Sequence, residues 1–399
     1  MSEAAQVAQA LAGQAMPAVY ARADLASLPA TPYRLYVGPG GADANPGSEA
    51  APLRTIARAA QLAVPGTTVY VAPGRYAGGF TTRASGAAGA RIYYVSTRRW
   101  GAVIVPPSPS PNDTAWDNRG SHVDIIGFDV DGSAARGGVA WTHGIYHGGS
   151  DGVIRANRVH DLALDVPCTS AGGSAIGIDG YYRGSDSHAI GNLVHDIGPA
   201  ACRYVHGIYV STTGTVSNNI VYRVAGAGIH LWHDARAVLV AHNTVAGSGV
   251  GIVVGGGDRY YFAGGNDHTV VANNITYDNQ LGIVEQGHTG PNNRFLHNLS
   301  FHNRRADWRI KQAESCVAGL SAEPQFVAYR GRGMPDFRLR AGSPARARAS
   351  AGIGPAYDVA GQARLGAGGA DIGAFQYQAG TDGGEPAAAE VPVQSSPAP

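Results

Sequence analysis

The sequence predicts an all-β solenoid: a right-handed, single-stranded parallel β-helix with an N-terminal capping helix. Two motifs recur along the middle of the chain, and the unequal distance between their copies completes the argument. The first motif is an asparagine flanked by alternating apolar residues, at Asn157, Asn192, Asn219, Asn243, Asn274 and Asn298, with 24 to 35 residues between copies. The second is a Gly-Ile step, read at Ile145, Ile178, Ile208, Ile229, Ile252 and Ile283, with 21 to 33 residues between copies. Each unit is long enough for two or three short strands joined by turns, with the variable length placed in loops. Such a unit cannot bury its apolar face alone, but stacked units can, at the ~4.8 Å spacing of paired strands.

The recurring asparagine is expected at a corner of each coil. It tolerates the left-handed backbone, and its amide can bond the neighbouring turn, so stacked corners form a ladder with a structural role. An earlier coil, HVDIIGFDVDG, carries Phe128 in the ladder position. Before it, PLRTIARAAQLAV reads as an amphipathic helix over residues 53–64, suited to plug the open end of the solenoid. Residues 1–32 read as an Ala-rich, proline-punctuated leader. Residues 33–378 read as the β-helix domain, and 379–399 as a disordered Gly/Pro/Ala/Glu tail.

Composition narrows the function. Only 15% of the 399 residues are charged and the net charge is +1, which disfavours nucleic-acid and membrane-surface partners. No apolar run reaches the ~18 residues of a membrane span. Lys311 is the single lysine among 30 basic residues, as expected of codon bias in a GC-rich genome. Of the three cysteines, Cys168 and Cys202 fall in equivalent loops of neighbouring repeats. A disulfide between them and a pair of free thiols are both open, and a bond would imply an oxidising compartment. The first residues lack the basic and apolar regions of a signal peptide, so the expected periplasmic or secreted location rests on other grounds.

The segment YVGPGGADANPGSEAAPLRTIARAAQLAVPGTTVYVAPGRY, residues 36–76, resembles the opening of pectin-lyase-like parallel β-helix proteins, secreted pectate lyases among them. PQFVAYRGRGMPDFRLRAGSPA and ADIGAFQY resemble the closing coil and edge strand of the same superfamily. The likeness runs over about residues 34–378. It implies the fold but no single reaction, because the superfamily includes lyases, hydrolases, epimerases and phage tailspikes.

Strand parity predicts which side chains face outward. With the Gly-Ile isoleucines buried, one outward column is Tyr146, Asp179, Tyr209, His230, Val253 and Val284. The next is Gly148, Tyr181, Ser211, Trp232, Gly255 and Gln286. Arg183, His233 and Asp234 follow in loops. An aromatic and ionisable patch on a rigid sheet suits a sugar groove, since ring faces stack on sugars and polar tips fix hydroxyls.

Two reactions fit. β-Elimination on an acidic, uronate-containing polysaccharide would use Tyr209 and His230 as base and acid, Arg183 as a carboxylate fork and His233 in reserve. Hydrolysis would use Asp179, with Asp234 or the inward-facing Glu285 as weak partners. Tyr146, Tyr181, Trp232 and Asp234 would bind substrate. Arg309-Ile310-Lys311 is similar to a substrate motif of β-helix polygalacturonases. The Gly-His-Gly and paired-Asp motifs of that family are not matched in order, and Arg309 and Lys311 are assigned to a peripheral subsite beside Asp307. Calcium with a lysine base, as in some β-helix lyases, lacks the acidic cluster it needs, and no cofactor or resident metal is expected. His143, His147, His206, His230 and His233 together would be the set to hold a divalent metal. Parity turns His143 and His206 inward or into the turn, as satisfied buried histidines, and His160 and His195 read as a stacked pair bonded to Asp161 and Asp196. A C5-epimerase would use the same Tyr, His and Arg set, and a non-catalytic carbohydrate-binding protein would keep the same aromatics. A capped solenoid has no need to oligomerise, so a monomer is expected.

Overall fold

In a computed structural model, residues 28–133, 139–364 and 369–380 are described. The chain winds into stacked coils whose strands form three parallel sheets of eleven, nine and nine strands, with a two-stranded antiparallel hairpin after them. Apart from the first pair, Tyr33–Val37 with Thr67–Val71, every third strand is the neighbour in each of these sheets, so a coil contributes one strand to each face. The expected leader is described only from residue 28, and the tail only to residue 380; the rest of both lies outside the described residues.

The helix Ile56–Leu62 is shorter than expected, because Leu53 bridges Val37 and Thr55 is the N-cap, its hydroxyl accepting from Arg58 N–H. Ile56, Ala59 and Ala60 are buried at the start of the core. The interior is a set of aligned ladders. Ile145, Ile176, Ile208, Ile229, Ile252 and Ile283 stand in register, all fully buried.

The asparagine ladder runs unbroken. In each step from Asn157 to Asn274, the Asn backbone N–H and Nδ2 both donate to Oδ1 of the next Asn, at 2.9–3.2 Å. Nδ2 also donates to a carbonyl one coil back, for example Asn219 to Ala189 at 2.9 Å. The left-handed residue is the one before each asparagine: Ala156, Gly191, Asn218, His242, Asn273 and His297. The asparagine therefore serves through its amide and not through its backbone. A second ladder, Ser248–Asn279–Asn303, is not legible in the sequence because it holds only two asparagines. His160, His195 and Tyr222 stack with centroids 5.1 and 4.9 Å apart, and Asp161 and Asp196 hold the two histidines at 2.7 Å.

The end of the chain departs from expectation. The hairpin Phe326–Ala328/Asp336–Leu339 lies along the side of the solenoid, where Phe326, Phe337 and Leu339 cover Tyr222, Ile275 and Leu299. The stretch 370–377 forms no strand; Ile372 and Ala374 are buried in the same cluster. An apolar flank is thereby sealed, which a closing coil at the solenoid end would not do.

Buried histidines give the fold a pH dependence. Burial holds His147 and His188 near a pKa of about 4, His206 at about 3, and His242 well below its ordinary value. The unfolded chain therefore binds more protons as pH falls below about 6.5, and stability is lost between there and about pH 4, by up to ~1.4 kcal/mol per pH unit for each group. Asp124, raised by burial to about 6, opposes this, as do Asp358, raised by burial, and His160, raised by its carboxylate partners Asp129 and Asp161. Calorimetric melting temperatures should fall steadily from pH 7 to pH 4; a flat profile would contradict this assignment.

Candidate functional site

The site lies on the outer face of the nine-stranded sheet that contains His143–His147, Gly173–Ile178, Val205–Val210, Ala227–Leu231, Val250–Gly256 and Leu281–Gly287. A groove of about 1180 Å³ runs across these strands. Loops that precede the strands form one wall, with Ala171, Arg203, Tyr204, Arg304 and Arg305; loops that follow them form the other, with Asp179, Trp232, His233, Asp258 and Tyr260.

Register corrects the sequence reading by two residues in one coil. Ile176, not Ile178, pairs with Ile145 and Ile208, so the outward column is Tyr146, Gly177, Tyr209, His230, Val253 and Val284. A shift of two preserves the face. Asp179 therefore still points outward, one step further along, bonded to Ser211 Oγ at 2.8 Å and Tyr181 N–H at 2.7 Å. Tyr209 and His230 are register partners, with rings 5.3 Å apart.

Parity fails at the strand starts. A Cβ on Gly144, Gly207 or Gly228 would sit 2.7, 2.8 or 2.3 Å from the inward methyls of Val159, Val221 and Val245. The Gly and the Ile of each step thus both face the core, because the chain turns a corner there. Only glycine fits, and the residue before it is returned to the outside. His143 and His206, expected inward or in the turn, line the groove as a result, and His206 is buried there with both ring nitrogens hydrogen-bonded, as expected of it. His147 is fully buried beneath the sheet, with Nδ1 2.7 Å from Asn118 Nδ2, so the five-histidine metal set is not assembled.

Hydrogen bonds fix the histidine tautomers. Ala227 N–H donates to His206 Nδ1 at 3.1 Å, so His206 carries its proton on Nε2. That proton is donated to His230 Nδ1 at 3.0 Å, which leaves His230 a neutral imidazole with its proton on Nε2. Burial, with His206 and His233 nearby, holds the His230 pKa well below its ordinary value. In this arrangement His230 presents a donor, Nε2–H. His233 has the opposite arrangement. Its Nδ1–H donates to the Asp258 carbonyl at 2.6 Å, its ring stacks on Tyr260 at 4.1 Å, and Nε2 is left as an acceptor. Tyr209, with its ring 5.9 Å from His233, stays a neutral hydroxyl: burial raises its pKa well above the ordinary value, and Tyr260, Asp179 and Asp258 add to this.

The remaining expected residues divide. Tyr146 lines the groove, its phenol bonded to Asp179 and its pKa raised by burial and by that carboxylate. Trp232 lies flat against Gly255, Gly257 and Gly287. Arg183 is exposed outside the groove with its guanidinium 4.0 Å over the Tyr261 ring, so it is not placed to clamp a carboxylate in the groove. Tyr181 belongs to the same outer edge, its carbonyl accepting from Tyr261 Oη at 2.8 Å. Asp234 is buried and accepts from Tyr260, Tyr261 and Phe262 N–H at 2.7–3.0 Å; it shapes the loop 258–262 and does not face substrate. Arg309 and Lys311 line a separate depression of about 540 Å³ beside Gln286, with Lys311 Nζ donating to Gly287 O at 2.5 Å. The sequence reading missed Arg203, Arg304, Arg305 and Asp258, which sit in loops where no periodicity applies.

Cys168 and Cys202 form a disulfide, with Cα atoms 5.5 Å apart, joining two loops of the groove wall; Cys316 is free. Among the described residues one cluster has metal-like spacing, Asp131, His160 and Asp161. His160 bonds Asp161 through Nδ1 and Asp129 through Nε2, at 2.7 and 3.1 Å. Both nitrogens face carboxylates, and these partners raise the histidine pKa against the effect of burial. Among the described residues no helix is long and apolar enough to cross a membrane.

Two family models match the chain: "Protein of unknown function (DUF1565)" over residues 39–81 and "Right handed beta helix region" over residues 116–267. No curated protein matches. Among solved structures, pectate lyase Pel9A is similar at 16% identity, covering 89% of this chain and 99% of its own, with a TM-score of 0.49. A glycoside hydrolase is similar at 8% identity, covering 72% and 96%, with a TM-score of 0.53. An alginate lyase from Paenibacillus sp. str. FPU-7 is similar at 16% identity, covering 67% and 96%, with a TM-score of 0.41. The protein folds as a right-handed parallel β-helix, and the family model for that region matches its middle.

Proposed function

We propose that the protein is a polysaccharide lyase that cleaves a uronate-containing polymer by β-elimination in this groove, in an oxidising compartment and without a resident metal. The observation that carries the reading is the pairing of His233 and Tyr209. One offers an unprotonated Nε2, the other a neutral hydroxyl, and both line one groove with three arginines on the opposite wall. Guanidinium groups pair with carboxylates and make the neighbouring C5 proton more acidic. His233 Nε2 takes that proton, the electron pair forms the C4–C5 double bond, and the C4–O bond breaks. Tyr209 Oη–H protonates the departing oxygen, and the proton on His233 then restores the phenol. His230 contributes its fixed Nε2–H as a donor to developing negative charge. The disulfide between Cys168 and Cys202 supports the periplasmic or secreted location.

Hydrolysis is the second reading. It is favoured by Asp258, which stands with Asp179 on one wall of the groove, while the third lining acid, Asp278, is held by Tyr329 Oη. The test is digestion of a panel of acidic and neutral polysaccharides, followed for reducing ends and ultraviolet absorbance together. Elimination gives both signals on an acidic polymer. Reducing ends alone would sink the lyase reading and move the chemistry to Asp179 and Asp258.

A further inference from the structure

The outward column across the sheet reads Asp117, Tyr146, Gly177, Tyr209, His230, Val253, Val284 and Arg309, and only Gly177 has no side chain. Glycine inside a strand weakens it and needs a reason. The usual reasons are missing here. Gly177 is not among the residues with positive φ. A Cβ would meet no backbone: its nearest neighbours would be Ser174 Oγ at 3.1 Å, which can rotate away, and Tyr146 Cδ2 at 3.4 Å, an ordinary contact. At Gly144 and Gly207, by contrast, a Cβ would strike carbonyl oxygens at 2.4 and 2.5 Å. The fold demands glycine at those corners but not at position 177.

Gly177 lines the groove and leaves its floor between Tyr146 and Tyr209 without a side chain, over a backbone that is itself buried. Asp179 stands at one end of this gap and Ser174 at the other. Asp179 is the charge at the gap, while Arg203, Arg304 and Arg305 lie on the opposite wall with one acid, Asp278, that accepts from Tyr329 Oη. The Asp179 carboxylate accepts hydrogen bonds only, so it favours a hydroxyl and repels a carboxylate.

We infer that Gly177 is the seat of one sugar ring of the substrate. The ring settles over the bare backbone between the two tyrosines, turns a free hydroxyl toward Asp179, and leaves its carboxylate to the arginine wall. The site would thereby discriminate against rings esterified or otherwise substituted at that hydroxyl. The orientation rests on the lyase reading; the seat itself requires only that a sugar binds in the groove.

The test is a graded series, Gly177→Ala and Gly177→Val, compared with wild type for calorimetric affinity toward uronate and neutral oligosaccharides, for KM, and for melting temperature. A side chain in a seat should weaken oligosaccharide binding by about tenfold or more for Gly177→Val, the equivalent of ~1.4 kcal/mol, with Gly177→Ala between. Melting temperatures should stay level or rise, since both substitutions restrict the unfolded chain. Wild-type affinity and KM in both variants would overturn the seat. Should Gly177→Val fail to fold, Gly177→Ala decides by the same readouts. Saturated products from wild type would overturn the elimination chemistry while the binding series still judges the seat.

Discussion

His233→Asn is expected to abolish most turnover while leaving the fold intact. Removing a general base lowers kcat by about 10²–10⁴-fold. Asparagine is the informative replacement for two reasons. His233 has a φ of 51°, in the left-handed region that asparagine tolerates. An asparagine amide can also donate to the Asp258 carbonyl in place of Nδ1–H. The variant loses the acceptor at Nε2 and keeps the local backbone, so its melting temperature should lie within a few degrees of wild type. Tyr209→Phe, which removes the hydroxyl and little volume, should lower kcat through the other half of the same proton cycle. Steady-state kinetics on the polymer identified by digestion, alongside thermal melts, check both. Wild-type kcat in a folded His233→Asn protein would remove His233 from the chemistry.

The largest loss of stability is expected from Asn219→Ala. The side chain satisfies Asn192 N–H and Nδ2 through Oδ1, and the Ala189 carbonyl and Asn243 Oδ1 through Nδ2, at 2.9–3.0 Å in a fully buried corner. Truncation leaves these polar groups without partners and opens a small cavity. With about 1–3 kcal/mol for each unsatisfied buried group, partly relieved by relaxation, the expected cost is about 3–5 kcal/mol. Chemical denaturation followed by circular dichroism reads this directly, and the specific activity of the folded fraction should not change. A loss below ~1 kcal/mol would mean that the ladder only accompanies the strand pairing and adds little to it.

Why the ladder was legible and parts of the groove were not has a physical basis. A corner that must satisfy the same buried amides in every coil requires the same residue each time, so Asn157 to Asn298 announce themselves in the sequence. The alternation that placed Tyr209 beside His230 is equally local. The coil at Gly173–Ile178 could not be registered from sequence, because Ile176 and Ile178 both face inward and alternation cannot choose between them. That ambiguity put Asp179 in the wrong step and hid Gly177. The Gly-Ile corner places two consecutive residues inside, so parity counted back from the isoleucine could not show that His143 and His206 border the groove, although His206 is buried as expected. Loop side chains follow no period at all. Asp234 looks in sequence like a groove acid, yet three backbone N–H groups of residues 260–262 claim it. Arg203, Arg304 and Arg305 look like ordinary surface charge until the coils stack and bring them to one wall.

The central claim, elimination in this groove, is tested most directly by digesting the polymer in water enriched in heavy oxygen and weighing the products by mass spectrometry. Elimination breaks the C4–O bond without adding water, so the new non-reducing ends should be unsaturated, and the paired reducing-end fragments should gain no heavy oxygen at the moment of cleavage. Saturated ends with one heavy oxygen per bond broken would contradict the account and identify hydrolysis.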